Sequence, residues 1–306
     1  MIYNFNVKEI PPLSQVGGKA KALIETTKAG FKVPEGIVLS VDFFDSWIKE
    51  LKQTGAWVKF AGSPVKENCD LLKSAAGKLK LSGEQKQLID QELSAFSEST
   101  LFAVRSSSPE EDMEDTSFAG VYESFLGVTP EKIQEAVKKC FGSLFDERVI
   151  RYKEQNGLDP YHPRIAIIIQ KQIASEVSGV AFTLNPVTNY YDECVINANF
   201  GLGDSVVEGT VTADQFIVDK VSGSVIGKKA GNKEYANYLL PDGGTGKKHN
   251  ASPRKPCLTD EQILEVSTLA VKVEGFFQKP TDIEWAFEKG RHRCIPTATQ
   301  GTHQRK

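Results

Sequence analysis

The chain has 306 residues, 40% of them hydrophobic and 25% charged, with a formal net charge of -3. That length suits about two domains, or one large domain with two lobes, and the mildly acidic balance carries no nucleic-acid footprint. The five cysteines (Cys69, Cys140, Cys194, Cys257, Cys294) form no C-x-x-C pair, so neither a zinc site nor a disulfide framework is indicated and a reducing cytoplasm is the simplest setting.

Met1 to Val7 lacks a basic start and apolar core, and the longest apolar run, Ile165 to Ile169, is far too short to span a bilayer. No membrane partner is expected. Val16 to Gly30 reads as a glycine turn, Gly17-Gly18, feeding a helix that stops at Gly30. Val33-Pro34-Glu-Gly36-Ile-Val-Leu then returns as a turn and short strand. Lys19 could reach a phosphate from that helix start, or be one more exposed lysine. Val41 to Phe96 reads as mostly helical and polar, with a loop near Gly62-Ser-Pro64.

Phe102 to Phe125 is the most informative stretch. An apolar run delivers Arg105 and three serines, an acidic loop follows, and Ser117-Phe-Ala119-Gly120 makes a small-residue turn. Arginine offers a fixed fork of donors to phosphate oxygens, and backbone N–H groups at Gly120 can approach a polyphosphate closely. A strand followed by a solvated acidic loop accounts for the same residues.

Thr129-Pro130 opens a helix, on which Ile133, Val137, Cys140, Leu144, Val149 and Tyr152 recur near helical period. Strand-like runs follow at Arg164–Gln170, Gly179–Leu184, Glu193–Ala198 and Gln215–Val218, with a hairpin over Val218 to Ile226. The glycine- and lysine-rich segment from Gly231 to Pro256 reads as a mobile surface loop. Thr259-Asp-Glu-Gln262 is a capping box, followed by Ile263, Val266, Leu269, Val273 and Phe276 on one helical face. Thr281 to Phe287 alternates as a strand, so Asp282 and Glu284 share one face while Ile283, Trp285 and Phe287 share the other. Two carboxylates on one face suit Mg²⁺; a solvated strand face gives the same pattern.

Two glycine clusters imitate nucleotide motifs and fail. Gly201-Leu-Gly203 meets Val206 where a dinucleotide fingerprint needs its third glycine, and Gly243-Gly-Thr-Gly-Lys-Lys248 ends in Lys-Lys. The four histidines (His162, His249, His292, His303) have no partner spacing and none is assigned to catalysis.

Taken together and in order, eight motifs resemble one family: Val16-Gly-Gly-Lys-Ala-Lys-Ala-Leu, Val33-Pro-Glu-Gly36, Phe102-Ala-Val-Arg-Ser-Ser107, Ser117-Phe-Ala-Gly-Val-Tyr122, Ser143-Leu-Phe145, Gly179-Val-Ala-Phe-Thr183, Asn199-Phe-Gly-Leu-Gly203 and Asp282-Ile-Glu-Trp285. The sequence is similar to the N-terminal ATP-binding domain of phosphoenolpyruvate synthase, pyruvate phosphate dikinase and rifampin phosphotransferase, over roughly residues 10 to 290. The resemblance implies an α+β chain with an ATP-grasp fold, two lobes holding ATP between them. The expected division is 1–170 for the N-terminal lobe, 171–290 for the C-terminal lobe and 291–306 for an atypical tail.

By the same resemblance Lys19 and Arg105 would act on ATP phosphates, and Ser117, Ala119, Gly120 and Ser124 would belong to the loop around the triphosphate. Gln170, Lys171 and Ile173 would touch adenine at the interlobe hinge, and Glu284 would hold Mg²⁺. Asp214, with Asp204 and Glu208, lies in the matching nucleotide region. The implied activity moves phosphate from ATP to a histidine on a separate swivelling domain, then to pyruvate, water or an antibiotic hydroxyl. A non-catalytic nucleotide-binding module and a carboxylate–amine ligase on the same fold are the alternatives.

The family's carrier histidine and third domain have no counterpart here, so the expectation is half an enzyme. The end departs as well: where relatives continue as Tyr-Leu-Leu-Gln-x-Arg-Pro, this chain reads Arg293-Cys-Ile-Pro-Thr-Ala-Thr-Gln. Pro296 and the threonines are not expected to make that strand, and a shifted reading frame would account for the change.

Overall fold

A computed structural model describes residues 1–110 and 122–288 in full, and the backbone course of 294–301. The chain forms two compact units. The first takes Met1–Ile24 and Glu35–Gln172, the second Glu25–Pro34 and Ile173–Lys306. The division after Gln172 lies two residues beyond the expected one, and the reassignment of 25–34 has no signal in the sequence.

In the first unit the chain runs β1 (Ile2–Asn4), α1 (Leu13–Lys28, whose last turn passes into the second unit), β2 (Gly36–Leu39), α2 (Asp45–Lys52), α3 (Gly55–Gly62), α4 (Lys66–Ala76), α5 (Gly83–Leu93), β3 (Phe102–Ser107), β4 (Ser124–Val128), α6 (Ile133–Gly142), α7 (Glu147–Gln155) and β5 (Ala166–Lys171). Among the described residues the sheet order is β1-β2-β5-β3-β4, antiparallel throughout. Side chains alternate across each strand. Ile37, Leu39, Phe102, Val104, Ile167 and Ile169 therefore face one side, into a core with Phe44, Trp47, Phe60 and Phe141. The segment from Val41 to Phe96 is helical as expected, but its apolar side is aromatic rather than sparse: Trp47 meets Phe141 edge-on at 5.0 Å.

The second unit continues with β6 (Ser175–Phe182), β7 (Glu193–Phe200), α8 (Asp204–Val207), β8 (Asp214–Asp219), β9 (Ser224–Lys229), β10 (Tyr235–Leu239), β11 (Thr245–His249), α9 (Asp260–Phe277), β12 (Thr281–Glu288) and β13 (Cys294–Gly301). Its main sheet has the order β13-β12-β6-β7-β8-β9, with β10 and β11 as a separate ribbon. The capping box starts α9 as expected, Gln262 N–H donating to Thr259 Oγ1 at 3.3 Å and Thr259 N–H to Gln262 Oε1 at 2.9 Å. Ile263, Val266, Ala270 and Val273 bury one stripe of α9, whereas Phe276 is 43% exposed.

Two expectations are corrected. The segment 231–256 is not a loop: Tyr235–Leu239 pairs with Thr245–His249 around Gly243 and Gly244, both at positive φ. Lys233 and Ala236 in it are buried. The tail does form a strand, Cys294–Gly301 pairing antiparallel with β12. It sits at the sheet edge, and the register shifts where Trp285 faces Pro296 and Glu284 faces Ala298. Proline cannot donate to a ladder, and an edge with a bulge is where a sheet accepts it.

Among the described residues no helix is long and apolar enough to cross a membrane.

Candidate functional site

The glycine turn of α1 is a break inside the helix. Gly17 has φ 73° and ψ 168°, so the helix restarts behind it. A restarted helix exposes N–H groups that need partners, and one comes from far along the chain: Ala20 N–H donates to Ser107 Oγ at 3.0 Å, in a buried position. Gly17 packs flush on the same residue. A Cβ there would lie 2.3 Å from the Ser107 carbonyl oxygen, so only glycine fits. Gly17-Gly18-Lys19 is thus built against the end of Arg105-Ser106-Ser107.

Strand parity assigns the other residues. Arg105 and Ser107 face away from the aromatic core that takes Phe102 and Val104. Register pairs Arg105 with Ser124 on one side and Ile168 on the other, and Ala103 with Gln170. Directly paired residues point to the same face. Arg105, Ser124 and Gln170 therefore share the sheet face on which Ser107 meets α1, and Lys19 lies in the first turn of the restarted helix. Lys171 pairs with Phe102 on the opposite face and is exposed. Ser117, Ala119 and Gly120 lie outside the described residues.

The stretches flanking 111–121 are anchored by charge. Glu110 meets the buried Lys153 at 2.6 Å, and Lys73 bridges Glu123 at 3.0 Å and Asp146 at 2.5 Å. Those two carboxylates raise the Lys73 ammonium above its ordinary pKa, against the opposing effect of burial. A cavity of about 250 Å³ in this unit, bordered by Asp42, Asp45, Lys52 and His162 over Phe44 and Phe141, includes none of the expected nucleotide residues.

In the second unit Ile173 is its first residue after Gln172. Ile283, Trp285 and Phe287 enter the core with α9, leaving Asp282 and Glu284 half-buried on the other face of β12. Among the described residues no three His, Cys, Asp or Glu side chains gather into a metal cage. Mg²⁺ does not ask for one: it binds through one or two carboxylates and completes its shell with water and phosphate oxygens. The Asp282–Glu284 face fits that requirement.

Gly201-Leu-Gly203 proves to be a fixed elbow. The Gly201 carbonyl accepts from Ser175 Oγ at 2.8 Å and Ser178 Oγ at 2.6 Å. Leu202 N–H donates to the Asn237 carbonyl at 2.7 Å, and Asn237 Nδ2 donates to Asp204 Oδ2 at 2.8 Å. The ribbon β10–β11 thereby holds the elbow and Asp204 together, while Glu208 stays exposed. Sequence reasoning missed Ser175, Ser178 and Asn237, whose partners are set by pairing and not by spacing.

Asp214 is wholly buried and its carboxylate is engaged internally. Gly231 N–H donates to Oδ1 at 2.8 Å, Cys257 N–H to Oδ2 at 2.8 Å, and Lys233 Nζ also bonds Oδ1. Lys233 carried no signal within its polar stretch. Cys69, Cys140, Cys194 and Cys257 are free thiols and buried. Burial pushes the Cys69 and Cys194 thiols up to about 11, with carboxylates near Cys69 adding to the effect.

Comparison with known proteins bears on the same residues. The family described as "Pyruvate phosphate dikinase, AMP/ATP-binding domain" matches residues 13–295. The chain is 34% identical to a probable phosphoenolpyruvate synthase of Methanocaldococcus jannaschii, an alignment covering 95% of this chain and 26% of that protein. It is 32% identical to rifampicin phosphotransferase of Bacillus subtilis, over 90% of this chain and 33% of the relative. Against phosphoenolpyruvate synthase of Pyrococcus furiosus the identity is 31%, over 94% and 42% respectively. The chain spans between 26% and 42% of the length of these three relatives. Matched from Leu13 through the break at Gly17, β3 and β12, the chain belongs to the pyruvate phosphate dikinase AMP/ATP-binding domain family.

Proposed function

We propose that this chain is the ATP-binding part of a dikinase-type phosphotransferase with an ATP-grasp fold. Phosphate would pass from ATP to a histidine on a separate swivelling domain, as part of a phosphoenolpyruvate synthase-like or antibiotic phosphotransferase-like enzyme. The observation that carries this reading is the joining of Gly17-Gly18-Lys19 to Arg105 through Ser107, in a chain that belongs to an AMP/ATP-binding family. Phosphoryl transfer asks mainly for charge neutralisation and alignment. A lysine on a helix's first turn and an arginine fork on a rigid strand supply both.

In this reading Lys19 and Arg105 bind the phosphates, with Ser117, Ala119, Gly120 and Ser124 as further triphosphate contacts. Gln170, Lys171 and Ile173 receive adenine. Glu284, with Asp282 beside it, holds Mg²⁺, which when bound neutralises charge on the phosphate oxygens. Asp214, expected at the nucleotide, is buried with its carboxylate held by Lys233 and two backbone amides, so in this reading it braces β8 against the segment carrying the β10–β11 ribbon and does not touch ATP. Four buried free thiols suit a reducing cytoplasm.

Calorimetry with Mg²⁺-ATP tests binding, and labelled ATP with a separately expressed histidine domain tests transfer. Label on the added domain, lost with Arg105→Ala, is the expected result. Binding without transfer would make the chain a non-catalytic nucleotide module, and no binding would overturn the reading.

A further inference from the structure

We propose that Ser107 is a positioning residue: its hydroxyl caps the restarted α1 and so fixes Lys19 relative to Arg105. The inference rests on the nucleotide reading above and adds to it the part that sets its geometry.

A helix start is normally capped by the side chain just before it. Here the break falls at Gly17, preceded by Val16, and neither side chain can accept a hydrogen bond. Gln15 is engaged elsewhere, its Oε1 accepting from Tyr3 Oη at 2.5 Å. The acceptor comes instead from Ser107, 87 residues away, which takes the Ala20 N–H at 3.0 Å. The same residue fixes the approach distance, because Gly17 lies against its carbonyl with no room for a Cβ.

The other half of the pair is already rigid. Strand β3 is hydrogen-bonded to β5 along Phe102–Ser107 and to β4 on its other side. Arg105 and Ser107 are two residues apart on one face. One hydroxyl therefore ties a helix turn bearing Lys19 to a strand bearing Arg105. Without it, the helix start keeps its glycine contact but loses the bond that sets its rotation and height over the strand.

A positioning role predicts a split that loss of stability would not. Ser107→Ala should weaken Mg²⁺-ATP binding by about fivefold, the effect of a lost cap of typical strength. Adenosine, which carries no phosphate, should bind as before. Ser107→Cys keeps the size but offers a poor acceptor, and should behave alike if the alanine variant fails to fold. Ser106→Ala, an equal deletion on the opposite face, should change neither affinity. Hydrogen exchange of the full chain, read at the Ala20 amide, should speed up in the Ser107 variants only.

Faster exchange at Ala20 with unchanged ATP affinity overturns the inference while leaving the nucleotide reading intact. Equal losses for ATP and adenosine overturn it as well, since that is general damage. A wild-type chain that binds no ATP removes both.

Discussion

Lys233 meets Asp214 with both side chains wholly shut off from solvent. The carboxylate also collects the amides of Gly231 and Cys257, so one residue of β8 anchors both ends of the segment that carries the β10–β11 ribbon. Removing one partner of such a pair strands a buried charge, at a cost of about 3–5 kcal/mol. Lys233→Met should therefore lower the urea midpoint sharply. Adding Asp214→Leu should recover part of the loss, because the stranded charge goes with it.

Glycine at 201 should be irreplaceable for a reason that a second glycine isolates. Gly201 has φ 72°, and a Cβ would stand 2.1 Å from the Asn237 carbonyl oxygen. Gly209 has φ 65°, with nothing within 4 Å of its Cβ position. Gly209→Ala should cost about 1–2 kcal/mol of left-handed backbone strain. Gly201→Ala should exceed that clearly in the same thermal melt, the excess reporting the displaced β10 carbonyl.

Arginine's fork, beyond its charge, should matter at 105. Arg105→Ala should weaken Mg²⁺-ATP binding about 100-fold and Arg105→Lys about tenfold, in line with roughly 1.5–3 kcal/mol for hydrogen bonds to charged groups. Calorimetry on both variants, with adenosine as the phosphate-free control, separates charge from geometry.

Buried thiols give an alkaline limit. Cys69 and Cys194 stand at about 11 in the fold against an ordinary 9, so their folded values are raised. The stability this contributes is complete below pH 9 and is lost as pH rises through 11. Melting temperature should fall across that window. At pH 8 alkylation of Cys69, Cys140, Cys194 and Cys257 should await denaturant.

What the sequence discloses is local chemistry. Gly17-Gly18-Lys19, Arg105 and the capping box at Thr259 are legible because each is a short run with its own hydrogen-bond logic. Ser107 as the cap of α1 is not, since its partner is 87 residues away. The ribbon within 231–256 stays hidden because its strands carry lysines and tyrosines toward solvent and lack the apolar alternation that marks a buried face. Asp214 resembles a nucleotide contact by position alone; the buried lysine that occupies it appears only once the strands are assembled. The edge strand at Pro296 is unreadable for the opposite reason, because proline argues against a strand unless the bulge beside it is known.

Residues 25–34 leave the first unit, give Phe31 to the core of the second, where it meets Phe276 edge-on at 6.1 Å, and return. The polypeptide thus passes between the units three times, after Ile24, after Pro34 and after Gln172. No single cut can release the second unit intact, and a fragment beginning at Ile173 would lack a ring of its own core. During synthesis this early stretch emerges long before Phe276, so completion of the second unit must wait for α9 to reach it.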